Sequence, residues 1–111
     1  GGEWISTLTL EDVISQFPPV LECAVIGIPD PKWDERPCAC IAFKEGQSAT
    51  PEEIRDWIMK FTEDGTIEKW WVPDIPNGYF FVDEIPHNYI GKIEKNTLRK
   101  MYAEKAEHER A

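Results

Sequence analysis

The sequence predicts an α+β domain in which about three helices pack on a small mixed β-sheet. Two segments repeat apolar residues at the helical spacing i, i+3, i+4 and i+7, and two other runs are apolar on both faces, as buried central strands are. With 111 residues, of which 41% are hydrophobic, the chain has the length of one domain with one core. We therefore expect residues 1–111 to form a single folded unit.

The first predicted helix carries apolar residues from Leu10 to Phe17, with Thr9 as its N-cap and a proline pair, Pro18 and Pro19, at its end. Before it, a short strand is predicted at Trp4 and Ile5, giving the element order strand, helix, strand, strand, helix, strand, helix.

The second and third helices have different start signals. Thr50 is placed to cap the second, with Pro51 at its first position and Glu53 completing a capping box ahead of the apolar stripe of residues 54–61. The third should run from about Asn96 to the end of the chain. Its last residues, 103–111, are highly polar and are expected to fray.

Three strands are predicted at residues 20–28, 37–43 and 78–82, the last of them short and aromatic. Between the first two, residues 29–36 predict a connection much longer than a tight turn. Residues 62–77 predict a second long irregular stretch, which carries two adjacent tryptophans. Long loops in a compact domain are often functional.

The charge balance and the cysteines exclude several classes of protein. Lys and Arg number 12 against 21 Asp and Glu, and the net charge of −9 would repel nucleic acid. No apolar run is long enough to span a bilayer, and no charged-then-apolar leader begins the chain. Three cysteines, two of them only two residues apart, disfavour a disulfide framework. We expect a cytoplasmic or other reducing location.

Most candidate ligand residues have a simpler structural interpretation. Cys38 and Cys40 lie on one face of a strand, but only Cys23, His87 and His108 remain as scattered partners for a zinc site, so we predict buried apolar thiols and no metal. His87 lies in a loop and stays a minor candidate for titration or phosphate binding.

The five tryptophans suggest a partner surface. Trp57 falls on a helix stripe and is expected in the core, whereas Trp70 and Trp71 cannot both point inward in an extended segment. Trp4 and Trp33 lie near a chain end and in a loop. Exposed aromatic residues of this kind would favour self-association of the chain.

Gly91 and Lys92 begin the most basic part of the chain. They do not form a P-loop, because Pro86 stands where its first glycine would be and Ile93 follows the lysine. Four basic residues lie between positions 92 and 100 against Glu94 alone, in a chain of net charge −9. Judged by spacing alone, a solvated helix face is the better explanation for them.

In order, four segments resemble one protein family across nearly the whole chain. They are residues 1–6 (GGEWIS), 28–37 (IPDPKWDERP), 71–74 (WVPD) and 91–99, with the pattern GKIxKxxLR. The chain is similar to the small C-terminal domain of adenylate-forming enzymes. The sequences of its first two motifs are most like those of medium- and long-chain fatty-acyl-CoA ligases.

The resemblance implies a two-step reaction. A fatty acid and ATP give an acyl-adenylate and pyrophosphate, and the thiol of CoA then displaces AMP. It implies that a large N-terminal domain binds ATP, Mg²⁺ and the acyl chain, while the small domain is a lid that turns a different face to the site in each step. The chain would begin just after the hinge and be inactive alone.

The resemblance also implies site residues. The family's catalytic lysine corresponds to Lys92, with Gly91 supporting its loop. The resemblance also assigns the face used in thioester formation to the segment that begins with Gly1, Gly2, Glu3 and Trp4.

One departure and two alternatives accompany this assignment. The family usually has a basic and a hydroxyl residue after the proline before the Gly-Lys pair, whereas this chain has His87, Asn88 and Tyr89. A non-catalytic binding module that keeps the lid fold is the main alternative. An amino-acid-activating domain is disfavoured only through the tryptophan-rich motifs.

Overall fold

A computed structural model describes residues 5–110 of the chain. Its elements in chain order are α1 (Thr7–Ser15), β1 (Val20–Asp30), β2 (Asp34–Phe43), α2 (Pro51–Met59), β3 (Tyr79–Phe81) and α3 (Lys95–Arg110), with short 3₁₀ turns at Lys60–Thr62 and Lys69–Trp71. Of the predicted first strand, Trp4 lies outside the described residues and Ile5 is not in a strand.

The sheet has the strand order β1-β2-β3 and is mixed. β1 and β2 pair antiparallel over their full lengths, from Val20 opposite Phe43 to Asp30 opposite Asp34, with an irregularity near Glu22. β3 pairs parallel to the middle of β2, where Cys40 lies opposite Phe80. β2 is therefore the central strand of the described sheet, which explains why its sequence is apolar on both faces.

Helices cover both faces of this sheet. On one face, buried residues of α1 and α2 pack against Val25 and Ile41. On the other, Leu98 of α3 packs against Ile26 and Cys40. Alternate residues of β2 thus enter two different cores, as the period of a strand requires. The predicted α+β fold, a small mixed sheet with three helices, is confirmed.

The helix ends follow the predictions in part. The capping box of α2 is present, with Thr50 and Glu53 bonding each other's backbone N–H groups. The N-cap of α1 is Ser6 and not Thr9, because the Ser6 hydroxyl accepts from the Thr9 N–H at 3.2 Å and starts the helix earlier. α3 runs over Lys95–Arg110, as expected for a helix from about Asn96 to the tail, and the fraying of its last residues stays a prediction.

The connection between β1 and β2 corrects another prediction. Residues 29–36 do not form a long loop, because both strands extend into them and leave a three-residue turn. The Asp30 carboxylate accepts from the N–H groups of Lys32 and Trp33 at 2.8 and 2.9 Å, and Asp34 adopts a positive φ of 72°. Aspartate tolerates both roles, so these polar residues make a tight hairpin.

None of the helices within residues 5–110 is long and apolar enough to cross a membrane.

Candidate active site

Lys92 lies on a small hairpin between β3 and α3. Its base is an antiparallel bridge between His87 and Ile93, and the Glu94 N–H donates to the Pro86 carbonyl at 2.8 Å. Inside the base, the Asn88 N–H donates to the Lys92 carbonyl at 2.8 Å. The backbone therefore reverses direction within a few residues and carries Lys92 on an ordered projection.

The tightness of the turn depends on Gly91. Its φ is +87°, a left-handed conformation that costs residues with a Cβ atom, and its N–H donates to the Asn88 carbonyl at 2.9 Å. No atom lies within 4 Å of the position a Cβ would take, so the requirement for glycine comes from the backbone angle and not from crowding. The structure thus gives a physical reason for a glycine directly before Lys92.

Asn88 fills the inside of the turn with its side chain. Its Oδ1 accepts from the Ile90 N–H at 3.0 Å and from the Lys92 N–H at 2.9 Å. The position at which the sequence departs from the family pattern therefore carries an asparagine that satisfies two loop amides.

The side chains at the tip of this hairpin face solvent. Tyr89 is fully exposed and Ile90 is 70% exposed. Lys92 is exposed too, and its ammonium forms no ion pair with any other described residue. Its positive charge is available to a group from outside residues 5–110.

His87 anchors the base of the hairpin to the sheet. Its Nε2 lies 2.6 Å from Glu22 Oε2 on β1, and both side chains are about one-third exposed. The histidine that was a minor candidate for ligand binding is thus occupied by a carboxylate on the neighbouring strand.

Two of the basic residues after Lys92, Lys95 and Arg99, are engaged within the domain. Lys95 Nζ lies 3.0 Å from Glu11 Oε2 of α1, and the same carboxylate oxygen accepts from the Val25 N–H at 2.7 Å. Arg99 donates to Asn96 at 2.8 Å. These contacts separate Lys95 and Arg99 from Lys92, so the basic stretch does not act as one patch.

A buried arginine joins two of the sequence motifs, which the sequence alone did not show. Arg36 of β2 is 8% exposed, and its guanidinium bonds the Asp74 carboxylate at 2.9 Å and the carbonyls of Trp70 and Val72 at 2.7 and 3.0 Å. The available signal was an arginine directly before the apolar run of residues 37–43. The contact fixes residues 70–74 against the β1-β2 hairpin.

The tryptophans divide between core and surface. Trp57 packs against the core, where its Nε1 donates to the Val13 carbonyl at 2.8 Å, as predicted for a helix-stripe residue. Trp70 and Trp71 form an edge-to-face pair with centroids 6.3 Å apart, and both are half-buried. Trp33 is 50% exposed, with Lys32 5.5 Å from its ring centroid.

The cysteines behave as small apolar residues. Cys23, Cys38 and Cys40 are all free and buried. Burial raises the pKa of the Cys23 thiol, and a hydrogen bond to Cys40 together with burial raises the pKa of the Cys38 thiol. Among residues 5–110 no group of three or more side chains is arranged to hold a metal ion.

The remaining predicted site residues, Gly1, Gly2, Glu3 and Trp4, lie outside the described residues. Their assignment to the thioester-forming face stays a prediction.

Comparison with known proteins decides the family. Residues 9–92 match the family described as the AMP-binding enzyme C-terminal domain. The chain belongs to this family. The match runs from within α1 to Lys92, so the resemblance seen in the sequence motifs is confirmed.

Relatives of this AMP-binding C-terminal domain are CoA ligases. It is 42% identical over 102 residues to a long-chain-fatty-acid–CoA ligase of Thermus thermophilus, covering 92% of the chain and 17% of that protein. It is 44% identical to a 3-methylmercaptopropionyl-CoA ligase of Ruegeria pomeroyi, again over 92% of the chain and 17% of the relative. The chain therefore spans about one-sixth of the length of these relatives.

A solved structure shares the fold. A fatty acyl CoA synthetase of Mycobacterium tuberculosis superposes with a TM-score of 0.79 at 30% identity, covering 95% of this chain and 19% of that one. The likeness extends over nearly the whole domain, including the sheet and its helices.

Proposed function

We propose that this domain is the mobile lid of an AMP-forming acyl-CoA ligase and that Lys92 serves the first of its two half-reactions. In that step the carboxylate of a fatty acid attacks the α-phosphorus of ATP, forming acyl-adenylate and releasing pyrophosphate. In the second, the thiol of CoA attacks the acyl carbon, forming the thioester and releasing AMP. The observation that carries the proposal is the unpaired ammonium of Lys92 on an ordered, projecting hairpin.

The other parts of the reaction belong to the rest of the protein in this proposal. A larger N-terminal domain holds ATP, Mg²⁺ and the acyl chain, and CoA approaches when the lid presents the face that includes Gly1, Gly2, Glu3 and Trp4. The names of the relatives, which are CoA ligases for fatty and related acids, support this assignment. Three free, buried thiols are compatible with the reducing compartment that we propose as its location.

The chemistry of Lys92 follows from charge. Adenylyl transfer builds negative charge on the phosphate oxygens as the carboxylate approaches, and a fixed cation stabilises that state more than the separated reactants. Lysine is a compact point charge on a long flexible stem, so it can reach from a lid into a site on another domain. Withdrawing the hairpin when the lid turns would remove the charge before the second step.

The test is Lys92→Ala in the full-length protein, with the two half-reactions measured separately. Formation of acyl-adenylate from fatty acid and ATP should fall by about 10² to 10³, the usual cost of one preorganised charge contact. Thioester formation from supplied acyl-adenylate and CoA should stay near the wild-type rate, because the lid then presents another face. Lys92→Arg should not fully restore adenylation, since a planar guanidinium cannot occupy an ammonium's position.

Lys100→Ala is a matched control, because Lys100 is an exposed lysine on α3 outside the Lys92 hairpin. It should leave both half-reactions unchanged. If a folded Lys92→Ala protein loses both half-reactions equally, the assigned role is wrong. If it loses neither, the domain fits the non-catalytic interaction module instead.

A further inference from the structure

The backbone of Lys92 is held by one residue, Asn88. The Asn88 N–H donates to the Lys92 carbonyl at 2.8 Å, and Asn88 Oδ1 accepts from the Lys92 N–H at 2.9 Å. Both polar groups of the Lys92 backbone therefore end on the same residue. Two bonds of opposite direction across one residue fix its orientation, and with it the direction in which the side chain leaves the loop.

The same asparagine closes the rest of the turn. Its Oδ1 also accepts from the Ile90 N–H at 3.0 Å, and its carbonyl accepts from the Gly91 N–H at 2.9 Å. Every loop amide from Ile90 to Lys92 is thus satisfied by Asn88. A serine or threonine hydroxyl can make such a turn only more weakly, because its acceptor sits closer to the backbone.

Packing contributes little to the order of this loop. Tyr89 and Ile90 are 100% and 70% exposed, and the space around a Cβ at Gly91 is empty. Asn88 itself is half-buried, and the preceding residue is fixed to β1 through the contact of 2.6 Å between His87 and Glu22. Hydrogen bonds to Asn88, and not side-chain contacts at the tip, therefore determine where Lys92 points.

We propose that Asn88 is the positioning residue for Lys92, acting through the loop backbone without touching the substrate. The inference rests on the proposed function of Lys92. Because a misplacement of about 1 Å of a reacting group can cost on the order of 10²-fold in rate, loss of the Asn88 acceptor should slow adenylation without weakening ATP binding elsewhere in the protein.

The experiment compares Asn88→Ala and Asn88→Leu in the full-length protein, of which the second keeps the approximate size of the side chain. Both should lower the rate of adenylate formation at saturating ATP by about 10- to 100-fold. The KM for ATP and the rate of thioester formation from supplied acyl-adenylate should stay within about twofold of wild type. Asn88→Ser, which keeps a weaker acceptor, should recover part of the adenylation rate.

A second readout follows the loop directly. Amide hydrogen exchange at Ile90 and Lys92 should accelerate in Asn88→Ala, while exchange in the paired strands β1 and β2 stays as in wild type. Asn96→Leu is the matched control: Asn96 is an exposed asparagine whose Oδ1 accepts from the Arg99 side chain and not from a loop amide. It should change neither adenylation nor exchange in the loop.

The outcomes separate this inference from the proposed function. If Lys92→Ala abolishes adenylation while Asn88→Ala and Asn88→Leu retain it, Asn88 is not a positioning residue and the function of Lys92 stands. If the Asn88 variants slow both half-reactions equally, the residue acts only on folding and the inference is wrong. If Lys92→Ala itself has no effect, the proposed function fails first. Should Asn88→Leu not fold, Asn88→Ala decides the question alone.

Discussion

At the scale of single residues, Arg36 has the densest set of polar contacts in the described chain outside the Lys92 hairpin. A buried guanidinium is costly to desolvate, and it is compensated here by the Asp74 carboxylate and by the carbonyls of Trp70 and Val72. These groups come from a segment without regular sheet pairing. The Arg36 side chain therefore ties that segment to β2, in addition to the packing of Val72 in the core.

Arg36→Met should destabilise the domain by about 3 kcal/mol, because it leaves two carbonyls and a carboxylate without their donor. The exposure of Asp74, 57% of its side chain, keeps the cost below that of a fully buried pair. Urea unfolding measures the difference. Lys32→Met, on the exposed turn of the same hairpin, should change the free energy of unfolding by less than about 0.5 kcal/mol. Equal losses for the two variants would show that the Arg36 contacts contribute nothing specific.

At the scale of elements, α2 depends on its first turn. Thr50 Oγ1 accepts from the Glu53 N–H at 3.1 Å, and the Glu53 carboxylate accepts from the Thr50 N–H at 3.0 Å. Glu52 and Glu53 also place negative charge at the positive end of the helix dipole. Local chemistry of this kind acts within four residues, which is why the sequence predicted it correctly.

Thr50→Ala should cost about 1 kcal/mol of stability, because the orphan N–H of Glu53 loses its acceptor. Thermal unfolding of the isolated domain measures the change. Ser48→Ala is the control, since Ser48 is exposed and lies outside the capping box. A Tm equal to that of wild type in Thr50→Ala would contradict a stabilising cap.

The β1-β2 hairpin shows where element prediction failed. Residues 29–36 are proline-rich and charged, a composition that indicates a loop when it is judged by residue type alone. In the structure, Pro29 and Glu35 are paired and exposed near the end of the hairpin, where polar side chains are compatible with a strand. Pairing between strands, and not composition, extended both elements.

At the scale of the whole molecule, the three thiols report on the integrity of the fold. Cys38 and Cys40 are 0% exposed and Cys23 is 6% exposed, and the raised pKa of the Cys23 and Cys38 thiols keeps them protonated at neutral pH. Since the thiolate is the reactive form, a disulfide exchange reagent should modify all three only on the timescale of unfolding. Denaturant should expose three titratable thiols at once. Rapid labelling of the folded protein would show local opening of the sheet.

The isolated chain should fold on its own but show no exchange between ATP and pyrophosphate with any fatty acid. The expectation follows from the proposal that the larger part of the protein holds the nucleotide. Circular dichroism measures folding, and incorporation of radiolabelled pyrophosphate into ATP measures exchange. Exchange by the purified 111-residue chain would overturn the two-domain assignment. Trp33, Tyr89 and Ile90 are exposed, which favours the predicted self-association of the isolated chain. Light scattering measures it, and a strict monomer at high concentration would contradict it.

The sequence by itself determined the fold class, the α2 cap and the family. Helical spacing, capping residues and each single motif depend on neighbours within a few positions, and the family motifs placed Lys92 after a glycine. These properties are local, so they can be identified without coordinates.

The tertiary structure decided the contacts between distant segments. The bond between Arg36 and Asp74 spans 38 positions, and that between His87 and Glu22 spans 65, so no spacing rule could show either. The same is true of the route of the β1-β2 hairpin. Asn88 lies between these cases. Its hydrogen bonds are local, but how much they contribute to the order of the loop depends on whether solvent or packed side chains surround it. Only the folded chain shows that both backbone polar groups of Lys92 bond to Asn88 and that the tip of the loop is exposed.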